Sequence, residues 1–195
     1  MSRKSGKILR CYIPTPDKLM KTRLIEIKKS DPMYKHVCLN YLSSIQKLSL
    51  KKIEKVYCPS LYERYKSKKA NREKRGYKNF EKRLMYVTDV RNIEAIMRSS
   101  LKWRRMHCYK LKTGVSFSEN AEYADKNVTW NVGKNRAMII ADVLVGKADV
   151  GGYCTELPLN GGDVTPENRR VYVKFYGDEF IPRFIVYYTY NEIKI

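Results

Sequence analysis

The sequence has few of the residues that build metal centres or secreted scaffolds. Its five cysteines, Cys11, Cys38, Cys58, Cys108 and Cys154, are scattered singly. Neither the paired spacing of a zinc site nor a disulfide framework is present, so they are expected as reduced thiols. His36 and His107 are the only histidines, and neither stands at ligand spacing from a cysteine, so no metal is expected. No apolar run reaches the roughly 18 to 20 residues that cross a bilayer. The first ten residues, Met1 to Arg10, are basic and polar, without the apolar stretch of a signal peptide. The expected setting is intracellular, nuclear or cytoplasmic, with no membrane partner. Acidic residues are also scarce: Asp and Glu number 20 against 40 Lys and Arg, a formal charge of +20. That imbalance argues for an anionic partner, and nucleic acid fits better than a membrane because the basic residues are interleaved with tyrosines. A highly soluble surface rich in lysine is the plainer alternative.

What is present suits one domain. A chain of 195 residues, 43% hydrophobic, can fill a single sizeable core. Residues 1–16, ending in Pro14-Thr15-Pro16, read as a basic arm, and 17–195 as the domain. Asp31-Pro32 gives an N-cap with proline in the first turn, and Val37, Tyr41, Ile45 and Leu48 recur at helical spacing. Ile53 and Val56 suggest a short strand ending at Cys58-Pro59. Ser60 is placed to cap a helix that buries Leu61, Tyr62 and Tyr65. From Arg64 to Lys78 the text is RYKSKKANREKRGYK, with a single glutamate. Such a run is either a solvated face or an anion-binding surface built on Arg64, Lys66, Lys68, Lys69, Arg72, Lys74, Arg75 and Lys78. Trp103-Arg104-Arg105 forms a second cluster that sets an aromatic beside cations.

Beyond residue 84 the pattern is mixed. Leu84 to Val87 is strand-like, Ile93, Ile96 and Met97 mark a short helix, and three strands follow: Ala137–Val145, Arg170–Tyr176 and Phe184–Tyr190. Gly146, Gly151-Gly152, Gly161-Gly162 and Gly177 punctuate them as turns. The class is α+β.

Three stretches, read in order, resemble the poly(ADP-ribose) polymerase (PARP) catalytic domain. IEKVYCPSLYERYKSKK (53–69) is similar to the segment in which a strand leads through N-x-x-L-W-x-x-Y into a charged helix. ADVLVGK (141–147) resembles the A-x-V-L-x-G strand, and RVYVKFYGDEFIPRFIVYYT (170–189) resembles the closing pair of strands. The nearest branch is the mono-ADP-ribosylating one, with the TCDD-inducible and zinc-finger-bearing members. The resemblance implies two packed antiparallel-rich sheets with flanking helices and a cleft between the sheets for NAD. ADP-ribose is transferred there mainly by positioning and electrostatics.

At the motif positions the side chains differ. The family's His-Gly-Thr aligns with Tyr86, Val87 and Thr88. Gly-x-Tyr-Phe-Ala reads Gly114, Val115, Ser116, Phe117, Ser118, so the aromatic ring that stacks on nicotinamide is absent. Ala124 stands where a serine holds the amide, and Asn127 where an aromatic follows; Tyr123 and Trp130 are the nearby rings that a shifted path could use. Ile185 occupies the position of the polymerising glutamate, which removes chain elongation and leaves mono-transfer open. A lost hydrogen bond costs about 1 to 2 kcal/mol and a lost stack about 1, so several together weaken binding by roughly a thousandfold. The expectation is a catalytically inactive protein without a cofactor that binds nucleic acid or another polyanion. The alternatives are an NAD-dependent mono-ADP-ribosyltransferase with an altered pocket and a protein-interaction module.

Overall fold

The computed structural model describes residues 22–45, 48–77, 80–98, 114–128, 132–146, 148–150, 163–165 and 171–191. The expected arm, Lys78, the Trp103 cluster, Trp130, His107 and the glycines at 151–152 and 161–162 lie outside them.

Strand β1 (Arg23–Glu26) precedes helix α1 (Pro32–Val37), which passes directly into a π-helical turn, Cys38–Leu42. Asp31 caps α1 as its sequence suggests, accepting from the Met33 N–H at 2.8 Å. The helix does not reach Leu48. That residue opens β2 (Leu48–Tyr57) opposite Tyr190, so sheet pairing overrides the helical spacing. β2 is accordingly ten residues long and not a short strand.

Helix α2 (Pro59–Lys74) starts from Cys58 with no side-chain cap, and Ser60 lies inside it. Pro59 takes the first-turn position, where its fixed φ suits the helix and its missing N–H costs nothing. Leu61 and Tyr65 are buried, being one turn apart on one face. Tyr62, a step of 100° away, remains exposed, contrary to expectation.

The remaining elements are β3 (Phe80–Asp89), a 3-10 turn (Val90–Asn92), α3 (Ile93–Arg98), β4 (Val115–Ser118), α4 (Ala121–Lys126), β5 (Asn135–Val145), β6 (Ala148–Val150), β7 (Asp163–Thr165), β8 (Val171–Lys174) and β9 (Phe180–Tyr190). β8 is shorter than its sequence suggests, whereas β9 extends back through Pro182. Proline is accommodated because the β5 to β9 ladder shifts register between Ile140 and Ala141, next to the Pro182 pair.

Among the described residues the nine strands join one sheet, in the order β1-β2-β9-β5-β3-β4-β8-β7-β6. Every pairing is antiparallel except β6 with β7. The two separate sheets expected from the sequence are thus continuous, but the link is narrow: β3 meets β4 at a single pair, Met85 with Ser118. The sheet folds over at that link. Phe117 on β4 and Phe180 on β9 are three ladder steps apart, about 14 Å in a flat sheet. Their ring centroids are nevertheless 5.0 Å apart. Lys174 of β8 likewise donates to the Leu144 carbonyl of β5 at 2.7 Å.

Core packing covers both faces of β5, which explains why Ala137 to Val145 is apolar without alternation. One face carries Leu84, Ile139, Phe117 and Ile185 against Leu61 and Tyr65 of α2 and Ile93 and Ile96 of α3. The other carries Met85, Val87, Met138 and Val186 against Val37, Leu42 and Ala121. Each such aliphatic or aromatic side chain contributes about 1.5–3 kcal/mol. Asp142 is the polar exception between Ala137 and Val145, and Arg83 and Arg183 flank it at 2.7 and 2.6 Å.

Candidate functional site

Cross-strand register determines which motif positions meet. Tyr86 pairs with Ile139, Ile139 with Ile185, and Ile185 with Glu54. Tyr86 and Ile185 therefore share one face with a single strand between them, about 10 Å apart. Ile185 is fully buried, and Tyr86 is half-buried with its ring 6.2 Å from that of Phe117. Ser116 does not join them. Side chains alternate along β4, and Val115 and Phe117 take the core face, which turns the half-buried Ser116 the other way.

Val87 also points away from Tyr86, paired with Met138 in the opposite cluster. Its side chain is buried there with Ala121, and Ala124 packs against the same cluster. Thr88 is buried, and its hydroxyl accepts from Asn92 Nδ2 at 3.0 Å. Tyr123 is half-buried on α4. Asn127 ends that helix, donating from Nδ2 to the Tyr123 carbonyl at 2.8 Å. The residues aligned with a cofactor site are thus split between the two faces of the sheet, Val87 and Ala124 on one and Tyr86 and Ile185 on the other.

Gly114 is fixed by its surroundings. Its φ is +122°, and a Cβ there would stand 2.8 Å from Val173 Cγ1 and 3.2 Å from the Lys174 carbonyl. Only glycine meets both demands. The close approach of β8 is by itself enough to require glycine at this first residue of the GVSFS stretch.

Along α2 the basic run divides. Arg72 is turned inward and meets Glu179 at 3.0 Å, so its charge serves the interior instead of the surface. Lys68 lies 3.8 Å from Asp178 and 3.7 Å from Glu179, and Lys69 lies 2.9 Å from Glu81. Lys66 is exposed, 3.7 Å from Glu63 and over the ring of Tyr62. Arg64, Lys74 and Arg75 are exposed. Helical periodicity places Arg64, Lys68 and Arg75 on one stripe, beside the exposed Tyr176 that Lys68 overlies at 4.7 Å.

A feature that sequence reasoning missed lies at the common end of β2, β3, β5 and β9. A cleft of about 500 Å³ opens between Lys51, Arg91, Lys134 and Tyr187. Asp89 is its carboxylate, held down to about 2 by the Arg91 guanidinium and by the backbone N–H groups of Arg91 and Gly133. The Lys51-Lys52 pair was the available signal, but two lysines in a chain this basic do not stand out.

No protein-family model matches the sequence. Among the described residues no helix is long and apolar enough to cross a membrane.

Proposed function

We propose that this chain is a PARP-like ADP-ribosyltransferase scaffold that no longer handles NAD and serves as a polyanion-binding protein, with nucleic acid as the partner. The reading rests chiefly on Val87. Where the resemblance requires a glycine whose backbone is open to nicotinamide, Val87 buries its side chain in the cluster that Ala121 and Ala124 of α4 complete. Ala124, at the position where the resemblance places a serine, offers no hydrogen-bonding side chain to hold an amide. The fully buried Ile185 supplies no carboxylate to an acceptor.

The sheet's fold between β3 and β4 is compatible with the two-layer cleft that the resemblance implies. The remaining asset is charge. Arg64, Lys74 and Arg75 present cations on α2 that Arg72 does not, and a surface of this kind binds phosphates with little base preference. Gel shifts with single-stranded and duplex nucleic acid across a salt series test the reading, with affinity expected to fall steeply with salt. Incubation with labelled NAD should leave no label on protein or nucleic acid, and millimolar NAD should not raise the melting temperature. Label transfer, or salt-insensitive binding, sinks it.

A further inference from the structure

Lys51 is the residue that β2 inserts at an irregularity in its ladder. Leu50 pairs with Tyr188 and Lys52 with Tyr187, consecutive residues of β9, so Lys51 has no partner on that strand. A bulge of this kind re-aims the side chain it frees. Here it places Lys51 on the lining of the 500 Å³ cleft, with Arg91, Lys134, Asn135, Val90 and Tyr187.

The charges around this cleft do not cancel. Asp89 is already met by Arg91 Nε at 2.8 Å and Nη2 at 3.0 Å, and by the Gly133 N–H at 3.4 Å. Arg91 itself is 81% exposed and has donors to spare, since a guanidinium offers five. Lys52 stands beside the cleft with Nζ 4.5 Å from the Tyr187 ring centroid, its charge met by Glu54. Lys51 remains as a cation added to a balanced Arg91–Asp89 pair, against walls made by Val90 and Tyr187. The volume falls within the range of small-molecule sites. Cations at the mouth match a phosphate, and the lining by Val90 and Tyr187 gives an apolar surface for the rest of a nucleotide.

We infer that this cleft binds a nucleotide through its phosphate, either free or as the phosphorylated end of a nucleic-acid strand. The site shares no residue with α2 or with the Tyr86, Val87 and Ile185 positions, so it stands apart from the polyanion surface proposed above.

Calorimetric titration of the whole chain with AMP, with a 5′-phosphorylated oligonucleotide and with its unphosphorylated counterpart tests the inference. Lys51→Glu should weaken AMP binding by about tenfold or more, and Lys51→Gln by less, with melting temperatures unchanged. The Arg64→Glu/Arg75→Glu variant should bind AMP as the wild type does. A preference for the phosphorylated strand that Lys51→Glu abolishes assigns the site to strand ends, and AMP binding without that preference assigns it to free nucleotide. The inference is overturned if neither AMP binding nor a 5′-phosphate preference is seen, or if Lys51→Glu leaves both intact. Failure of the wild type to bind the unphosphorylated strand counts against the polyanion reading alone.

Discussion

Lys174 and Glu179 meet at 2.8 Å with the lysine side chain fully shielded from solvent. The same carboxylate takes Arg72 on its other oxygen at 3.0 Å, while Lys174 also reaches the Leu144 carbonyl. This buried group ties α2, β5, β8 and the turn before β9 together.

Removing the carboxylate should therefore be costly. Glu179→Ala leaves two cations buried without their anion, and a loss of about 3–5 kcal/mol is expected. Glu122→Ala breaks an exposed pair with Lys126 and should cost at most about 1 kcal/mol. Urea denaturation of the two variants measures the contrast, and equal effects would refute the assignment of Glu179 as the central anion.

Gly114→Ala combines a positive φ with a Cβ 2.8 Å from Val173 Cγ1. A destabilisation of about 1–3 kcal/mol should follow from backbone strain, with more if β8 cannot give way. Gly76→Ala shares the positive φ of +79° but has open space around the new methyl, and should cost less. Thermal unfolding ranks the two.

Asp89 gives the acid limb a signature. Its folded pKa of about 2 lies below the ordinary value of 3.8, so its contribution to stability is complete above that ordinary value and is lost as pH falls through about 2. Asp89→Asn should flatten the fall in melting temperature between about pH 4 and pH 2. An unchanged slope over that window would show that the Arg91 pair does not hold in solution.

The division of α2 into inward and outward cations predicts two phenotypes. Arg64→Glu/Arg75→Glu should weaken nucleic-acid binding uniformly across sequences and lower the salt slope by roughly 0.7–0.9 for each phosphate contact removed, at unchanged stability. Arg72→Ala should mainly reduce stability, because it leaves Glu179 short of a buried partner. Gel shifts and melting curves on the same preparations separate these effects.

Local chemistry was legible in the chain where a residue acts through its neighbours. Asp31 and Pro32 mark the start of α1, and Leu61 and Tyr65 define the inner face of α2. The apolar run at Ala137–Val145 marks a strand. Charge was legible too, since composition alone gives +20. Other features depend on groups far apart in sequence. Leu48 could have extended a helix until Tyr190 offered it a sheet partner, and Arg72 reads as one more surface cation until Glu179, 107 residues away, draws it inward. Ser116 parts company with Tyr86 because side-chain direction follows strand register, which a motif alignment does not contain. Lys51 faces a cleft only because its ladder with β9 slips between Leu50 and Lys52. Short-range propensity and net charge are properties of the string, whereas burial, pairing and the compensation of charge belong to whichever distant groups the fold brings within a few ångströms.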